Sequence, residues 1–423
     1  MVEKLHIYIR PYPVKVLLRP LFLKDKRTLR ITEKILQKSE EDVSKILASV
    51  RNEFSHRHRN YDERLLENYA LIKTRLSLNE NISKNKKLLI GAYLSMEYTT
   101  EAAALFNPSI VRHPVQDDKD RLKFILSLRS TGEGHISSIS FREGYITSDG
   151  KIDLLPESNF VTPGQIESGN VENAEKDDEN EIPPNYDVTF TDDTSISERI
   201  LFPYSSKEEK GMEDVRFVEF VENKKSVYYG TYTAAHSCVS IKSHIIETRD
   251  FKHFKIRNLS GEATVDKGLA LFPRKINNDY WMISRMDGES LFTAKSKDIF
   301  NWESPQLLRI PEMDWEITQI GNCGSPIELD EGWLLLTHAV GFMRKYVISA
   351  MLLDKNNPNK IIGILKEPLL EAEGEERNGY VPNVVYSCGA IKHEENIYLP
   401  YAVSDTSSSF ARISINDLLA KMK

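Results

Sequence analysis

Polar and apolar positions in the first hundred residues recur with a helical period. Ser39 opens SEEDVSKILASVRNEF with Asp42 three residues on, a capping pattern for a helix N-terminus, and Val43, Ile46, Leu47, Val50 and Phe54 follow on one helical stripe. A second helix is expected over Asp62–Leu76, where Leu65, Tyr69, Ile72 and Leu76 share a face, and a third in TTEAAALF, which leads into Asn107. From Asn107 onward the period changes. Short aliphatic, β-branched or aromatic runs alternate with Gly, Asn, Asp and Pro, as strands and turns do.

The strand-like runs repeat. Five of them end in polar or charged residues: FILSLRSTGEG, VYYGTYTAAHS, YWMISRMDG, GWLLLTHAVG and IYLPYAVSD. Each follows a companion run: NPSIV from Asn107, EDVRF from Glu213, LALFPRK from Leu269, NCGSPIE from Asn322 and VPNVVYSCGAI from Val381. The last four companions start 56, 53 and 59 residues apart, close to the repeat of a four-stranded propeller blade, roughly 40–50 residues. FKHFKI and FNWESP are candidate outer strands. The first interval is longer, and residues 150–200 supply the excess: GQIESGNVENAEKDDENEIPPN is acidic, nearly free of large apolar groups and expected to be a mobile surface excursion. The pattern predicts a mainly β chain, a five-bladed β-propeller over residues 87–423 with a helical N-terminal extension over 1–86 packing on it. Closure into a ring leaves only short strand edges and brings the polar strand tips to one mouth of a central channel, where pockets form.

Composition narrows the function. The formal net charge of -7 gives the chain no general attraction for nucleic acid or anionic membranes, so a bound anion needs a local cluster of cations. No apolar run is long enough for a membrane span and the N-terminus lacks the apolar core of a signal peptide; a cytoplasmic protein is expected. Cys238, Cys323 and Cys388 are odd in number and lack CxxC spacing, which argues for free thiols rather than disulfides or a metal site. Phosphate loops of the GxGxxG or GxxxxGK[ST] type, the HExxH zinc helix and the GxSxG elbow are all absent from the sequence. No cofactor is expected.

The repeat tips collect chemistry. In order they carry Asn107, Arg129, Glu133 and His135; Glu213, Asp214 and Arg216; Lys267 and Arg285; Asn322 and His338; Asn383 and Asp405. In one blade such a set reads as a solvated loop; five blades delivering it to one axial position read as a shared binding site. Asp214 stands in GMEDVRF, where adjacent Glu213 points to the opposite face of the strand. It is the candidate general acid, against a turn-capping role, and an acid needs its pKa raised by burial or a neighbouring carboxylate. Lys267, Arg285 and His338 form a cationic side suited to phosphate; ion pairs to Asp266, Asp287 or Glu289 are the alternative. Tyr229, Tyr232, Trp281, Trp315, Tyr380 and Tyr401 lie in or near the inner strands, mostly as core, with one or two available to stack on a sugar.

In their order and spacing, FNPSIV, the Arg129 segment, EDVRF, KGLALFPRK, SRMDG, IGNCGSPIELDEGWLLLTHAVG and YAVSDTS resemble glycoside hydrolase family 130, the mannoside phosphorylases and β-mannosidases, over roughly residues 87–420. The resemblance implies a five-bladed propeller, Asp214 as catalytic acid, Lys267, Arg285 and His338 as phosphate ligands, and substrate contacts at Asn107, Arg129 and Asp405; His135, Arg216, Asn322 and Asn383 are further substrate-side candidates from the repeat tips. It implies inverting transfer of mannose from a β-mannoside to inorganic phosphate, with phosphate as co-substrate and a small oligosaccharide as partner. Two positions depart from the family pattern: Val215 replaces a proline, and Gln319 stands where phosphorylases carry a lysine, with Arg344 as a compensating cation. The alternatives are an inverting β-mannosidase with Glu316 or Glu328 as base, and a non-catalytic sugar- or protein-binding propeller. The helical extension is open to covering the pocket, packing behind it, or building a homo-oligomer interface.

Overall fold

A computed structural model describes residues 2–77, 81–168, 185–235 and 241–422. The chain divides into a smaller unit, Tyr12–Ala102 with Ser158–Thr162, and a larger one, Met1–Pro11, Ala103–Glu157 and Pro163–Lys423.

The smaller unit holds helices α1 (Asp25–Leu36), α2 (Glu40–Phe54), α3 (Tyr61–Leu76) and α4 (Lys84–Tyr93) and an antiparallel ribbon of Val16–Pro20 with Ser95–Thr99. Ser39 caps α2 as expected: its Oγ accepts from the Asp42 amide at 3.1 Å. Val43, Leu47, Leu65, Tyr69 and Ile72 meet Ile35 and Leu88–Ile90 in one core. The expected third helix, TTEAAALF, is not helical. Its first residue ends the strand Ser95–Thr99, and its last three begin the strand Ala104–Arg112. The alanines favour helix locally, but Leu105 is fully buried in register with Ser130, and Pro108 bars helical continuation.

The larger unit is mainly β. Each companion run pairs antiparallel with its partner: Ala104–Arg112 with Leu122–Thr131, Gly211–Glu222 with Lys225–Ala235, Ala270–Leu271 with Tyr280–Ser284, Gln319–Asn322 with Trp333–Val340, and Val385–Tyr386 with Asn396–Val403. We number these modules one to five. Further strands extend each outward, and the parallel pairing of Gly211 with Ser137 joins the first two modules into one sheet. Val2–Lys4 pairs with Ala411–Ile413 at the edge of module five, so the first eleven residues cluster with the strands and not with the helices.

Two outer elements differ from expectation. FKHFKI contributes to the strand His253–Asn258, but in FNWESP the indole of Trp302 is buried and the outer strand comes later, at Gln306–Arg309. Residues 150–200 are not one excursion. Gln165–Ser168 and Tyr186–Thr189 pair antiparallel, and the latter adds to His253–Ile256. Tyr186, Val188 and Phe190 alternate into a core with Phe141, Phe217, Phe251 and Phe254. The acidic centre, 169–184, lies outside the described residues, as does Cys238; Cys323 and Cys388 are buried free thiols.

The start of the inner strands positions the site. Phe106 pairs with Arg129 and Ser109 with Ser127, so Asn107 and Pro108 together face one residue of the partner strand. Glu213 and Arg216 pair with Thr233 and Thr231, so Asp214 and Val215 do the same in module two. Both are β-bulges, which bend a strand and re-aim a side chain. Asn107 and Asp214 take left-handed backbone, φ 47° and 54°, and Gly268 (84°) and Asn383 (62°) do so at the matching places of modules three and five. Asn, Asp and Gly tolerate that conformation best. Val215 therefore makes the same bulge as Pro108, and its departure from the family pattern leaves the register intact.

Candidate functional site

A cavity of about 290 Å³ opens where the five inner strands begin. Every module contributes to its wall: Phe106, Asn107 and Arg129 from the first, Asp214 from the second, Lys267 and Arg285 from the third, Gln319, His338, Arg344 and Tyr346 from the fourth, and Tyr380, Val384, Tyr386 and Asp405 from the fifth.

Asp214 sits among these walls, 7% exposed. One of its oxygens accepts from Asn107 Nδ2 at 2.6 Å and from Arg129 Nη1 at 3.2 Å. Arg129 also donates to Glu213 at 2.6 Å and to Ser137 Oγ at 2.8 Å, so one guanidinium bridges two carboxylates and a hydroxyl. Burial alone pushes the Asp214 carboxyl upward. The charges of Arg129, Arg216 and Lys267 and the Asn107 bond outweigh it and hold the group at about 2. This reverses the expectation of a raised value: the surrounding cations stabilise an Asp214 carboxylate. The raised carboxyl is Asp405, pushed up to about 6 by burial and by the Asp214 charge. Burial also raises Glu213, against the pull of Arg129.

His338 is not a cation. Its Nδ1 lies 3.0 Å from the Asn322 carbonyl oxygen, which can only accept, so Nδ1 holds the proton. Its Nε2 lies 3.3 Å from Arg285 Nη1, which can only donate, so Nε2 is the acceptor. Burial, Arg285 and Arg216 together push the imidazole well below its ordinary value. The positive charge facing the cavity belongs to Lys267, Arg285 and Arg344, with Arg129 engaged by the carboxylates. The alternative ion pair for Arg285 is weak, 3.8 Å to Asp266. Two buried polar atoms on pocket-lining residues have no partner in the protein: the acceptor Asn107 Oδ1 and the donor Arg285 Nε. Such atoms are rare without a ligand or solvent to satisfy them.

The other expected residues lie elsewhere. Arg216 and Asn322 stand behind the wall. Arg216 Nε donates to Asn322 Oδ1 at 3.0 Å, and Arg216 Nη2 donates to the Tyr386 hydroxyl at 2.6 Å, so the pair braces a lining residue. Asn383 accepts from Arg377 at 2.8 Å and does not line the cavity. His135 is exposed beside it and stacks on Tyr380, ring centroids 5.7 Å apart. Glu316 is buried in a bidentate pair with Arg309 and also accepts from the amides of Glu312 and Met313. Glu328 is held by Arg274 at 2.6 and 2.8 Å and lines a separate, more apolar cavity near the far ends of the inner strands. Neither carboxylate lines the Asp214 pocket, which removes both as water-activating bases.

Of the aromatic candidates, only Tyr380 lines the pocket. Tyr232 and Tyr401 donate to the buried carboxylates of Glu208 and Glu376, and Trp281 is core. Phe106, Tyr346, Val384 and Tyr386 were not anticipated. Phe106 directly precedes the bulge residue Asn107, and Val384 directly follows Asn383, so adjacency to a left-handed Asn was the available signal.

The family model described as beta-1,4-mannooligosaccharide phosphorylase, glycoside hydrolase 130, matches residues 188–423. A 1,2-beta-oligomannan phosphorylase of Thermoanaerobacter sp. (strain X514) is 33% identical over 234 residues, 53% of this chain and 75% of that protein. A beta-1,2-mannobiose phosphorylase of Listeria innocua is 29% identical over 233 residues, 53% of this chain and 63% of that protein. The solved beta-1,2-mannobiose complex of the Listeria innocua phosphorylase superposes with a TM-score of 0.55 at 18% identity, covering 77% of this chain and 93% of that one. That likeness concerns the fold.

Proposed function

The chain belongs to glycoside hydrolase family 130, and from that premise we propose that it is an inverting phosphorylase of β-mannosides, passing mannose to inorganic phosphate. The observation that carries this reading is the shared cavity: the carboxyl of Asp214 and the cations Lys267 and Arg285 line one space of about 290 Å³. We read the five modules as the blades of a β-propeller with that cavity at one mouth, and the helical unit as an appended domain. No helix among the described residues is long and apolar enough to cross a membrane; cytoplasmic location is part of the proposal.

The residues divide the work. Lys267 and Arg285 receive phosphate through charge-assisted hydrogen bonds, with Arg285 oriented by the Nε2 acceptor of His338. Arg344 supplies the charge that Gln319 lacks. Asn107 Oδ1 accepts from a sugar hydroxyl, and Arg129 and Asp405 hold the same ring. A phosphate oxygen attacks the anomeric carbon, the glycosidic C–O bond breaks, and the proton from Asp214 reaches the leaving oxygen, directly or through a substrate hydroxyl. The proton is replaced from hydrogen phosphate. A single protein carboxylate suffices, because phosphate takes the place of activated water.

The low proton affinity of Asp214 among these cations fits this scheme. A phosphate dianion against Lys267 neutralises part of the field that holds the carboxylate ionised. Phosphate binding thereby favours the protonated, neutral acid. The test is incubation with β-1,2- and β-1,4-linked mannobiose, with and without phosphate. Mannose 1-phosphate formed only with phosphate is expected; equal release of free mannose without it contradicts the proposal.

A further inference from the structure

The cavity wall joins buried and exposed side chains: Asp214 and Arg285 are buried, whereas Tyr380 and Arg344 are exposed. Tyr380 is 71% exposed while lining the cavity. A single exposed aromatic is ordinary on a protein surface. Here the ring is stacked on a second one, His135 of module one, at 5.7 Å and 29° between planes. One face of Tyr380 is thus backed and the other is open.

Both rings are held by tight backbone. Gly134 and His135 take left-handed φ of 68° and 59°. The Tyr380 amide donates to Thr406 Oγ1 at 3.1 Å, and that hydroxyl donates to the Ser404 carbonyl at 3.0 Å. A pre-set flat surface of this kind suits a ligand that brings its own apolar face. Pyranose rings do so: the C–H groups of one face carry partial positive charge and lie on the negative face of a phenol ring.

We propose that the Tyr380–His135 pair is a stacking subsite for the sugar next beyond the leaving residue, which makes the enzyme prefer β-mannosides of three or more units to mannobiose. This rests on the phosphorylase reading for the identity of the sugar. The reacting mannose and phosphate lie against buried Asp214 and Arg285, and the chain leaves over the exposed ring of Tyr380. Specificity for length then resides in one ring that touches no reacting atom.

The test compares β-1,2-mannotriose with β-1,2-mannobiose. In the native protein kcat/KM is higher for the trisaccharide. In Tyr380→Ala the trisaccharide-to-disaccharide ratio of kcat/KM falls about tenfold, the loss of one stacking contact, while Tyr380→Trp keeps the native ratio. His135→Ala, which removes the backing ring, lowers the ratio in the same direction. A ratio unchanged in Tyr380→Ala, with both substrates slowed equally, overturns the subsite. Calorimetric titration of mannotriose without phosphate separates the two claims. Tyr380-dependent binding by a native protein that does not turn mannotriose over when phosphate is then supplied would reject the phosphorylase reading and keep the subsite; binding indifferent to Tyr380 rejects the subsite whatever the activity.

Discussion

Replacing Asp214 by asparagine separates charge from shape. The carboxamide oxygen can still accept from Asn107 Nδ2 and Arg129 Nη1, so the bulge and its two hydrogen bonds survive. What disappears is the negative charge facing Arg129, Arg216 and Lys267. Asp214 is held at about 2 against an ordinary value of 3.8. At about 1.4 kcal/mol per tenfold change in proton affinity, the charge contributes about 2 kcal/mol to the folded state at neutral pH. The folded pKa is depressed, so this contribution is fully present above the unfolded value near 4 and is lost as pH falls through about 2. Asp214→Asn is therefore less stable than the native protein by about 2 kcal/mol at pH 7, and the gap narrows steadily below about pH 4. Urea denaturation at several pH values measures it. The same variant loses the proton donor, so phosphorolysis falls by about 10²–10⁴-fold. A stability gap of the same size at pH 3 and pH 7, or a variant retaining more than about a tenth of native activity, refutes the reasoning.

Three further outcomes follow from the geometry. Asp405 has the opposite sign: its folded pKa, about 6, lies above the unfolded value near 4, so stability is lost as pH rises between the two and the cost is complete above about 6. Asp405→Asn raises the thermal midpoint at pH 8 and leaves it nearly unchanged at pH 4; a drop at pH 8 contradicts this. Glu208 is fully buried and accepts from the hydroxyls of Tyr186 and Tyr232 and the amides of Tyr204 and Ser205. Tyr232→Phe leaves that carboxylate short of a donor and costs about 1.5–3 kcal/mol in urea unfolding, and a change below about 0.5 kcal/mol would remove the network from the account. For His338, nitrogen NMR assigned against His338→Gln shows one protonated and one bare ring nitrogen, unchanged between about pH 5.5 and 8; an imidazolium signal in that range contradicts the neutral ring.

Legibility varied with the kind of signal. The inner strand pairs were readable because short apolar runs between Gly, Asn, Asp and Pro recur along the chain, and the polar tips of those runs located much of the pocket. Tyr346 and Tyr386 were hidden because strand aromatics read as core. The state of His338 was invisible, since it is set by a carbonyl at Asn322 and a guanidinium at Arg285, neither adjacent in sequence. The sign of the Asp214 shift was misread for a related reason: burial and cations compete, and only the distances decide. Glu316 and Glu328 looked near the site along the chain but are turned into separate ion pairs. In the helical unit, α1 escaped notice because Thr28 and Thr32 are its buried positions beside Ile35. Two threonines on an inward face blunt the apolar stripe. TTEAAALF failed the other way, with strong local helix preference overridden by pairing to module one.

The central claim is that Asp214 and the Lys267–Arg285 cations act on one sugar from opposite sides. Proton NMR of a reaction started with β-1,2-mannobiose and phosphate reads this directly from the first product. The account predicts α-mannose 1-phosphate, with the anomeric configuration inverted. The β anomer, or free mannose as the first product, would contradict it.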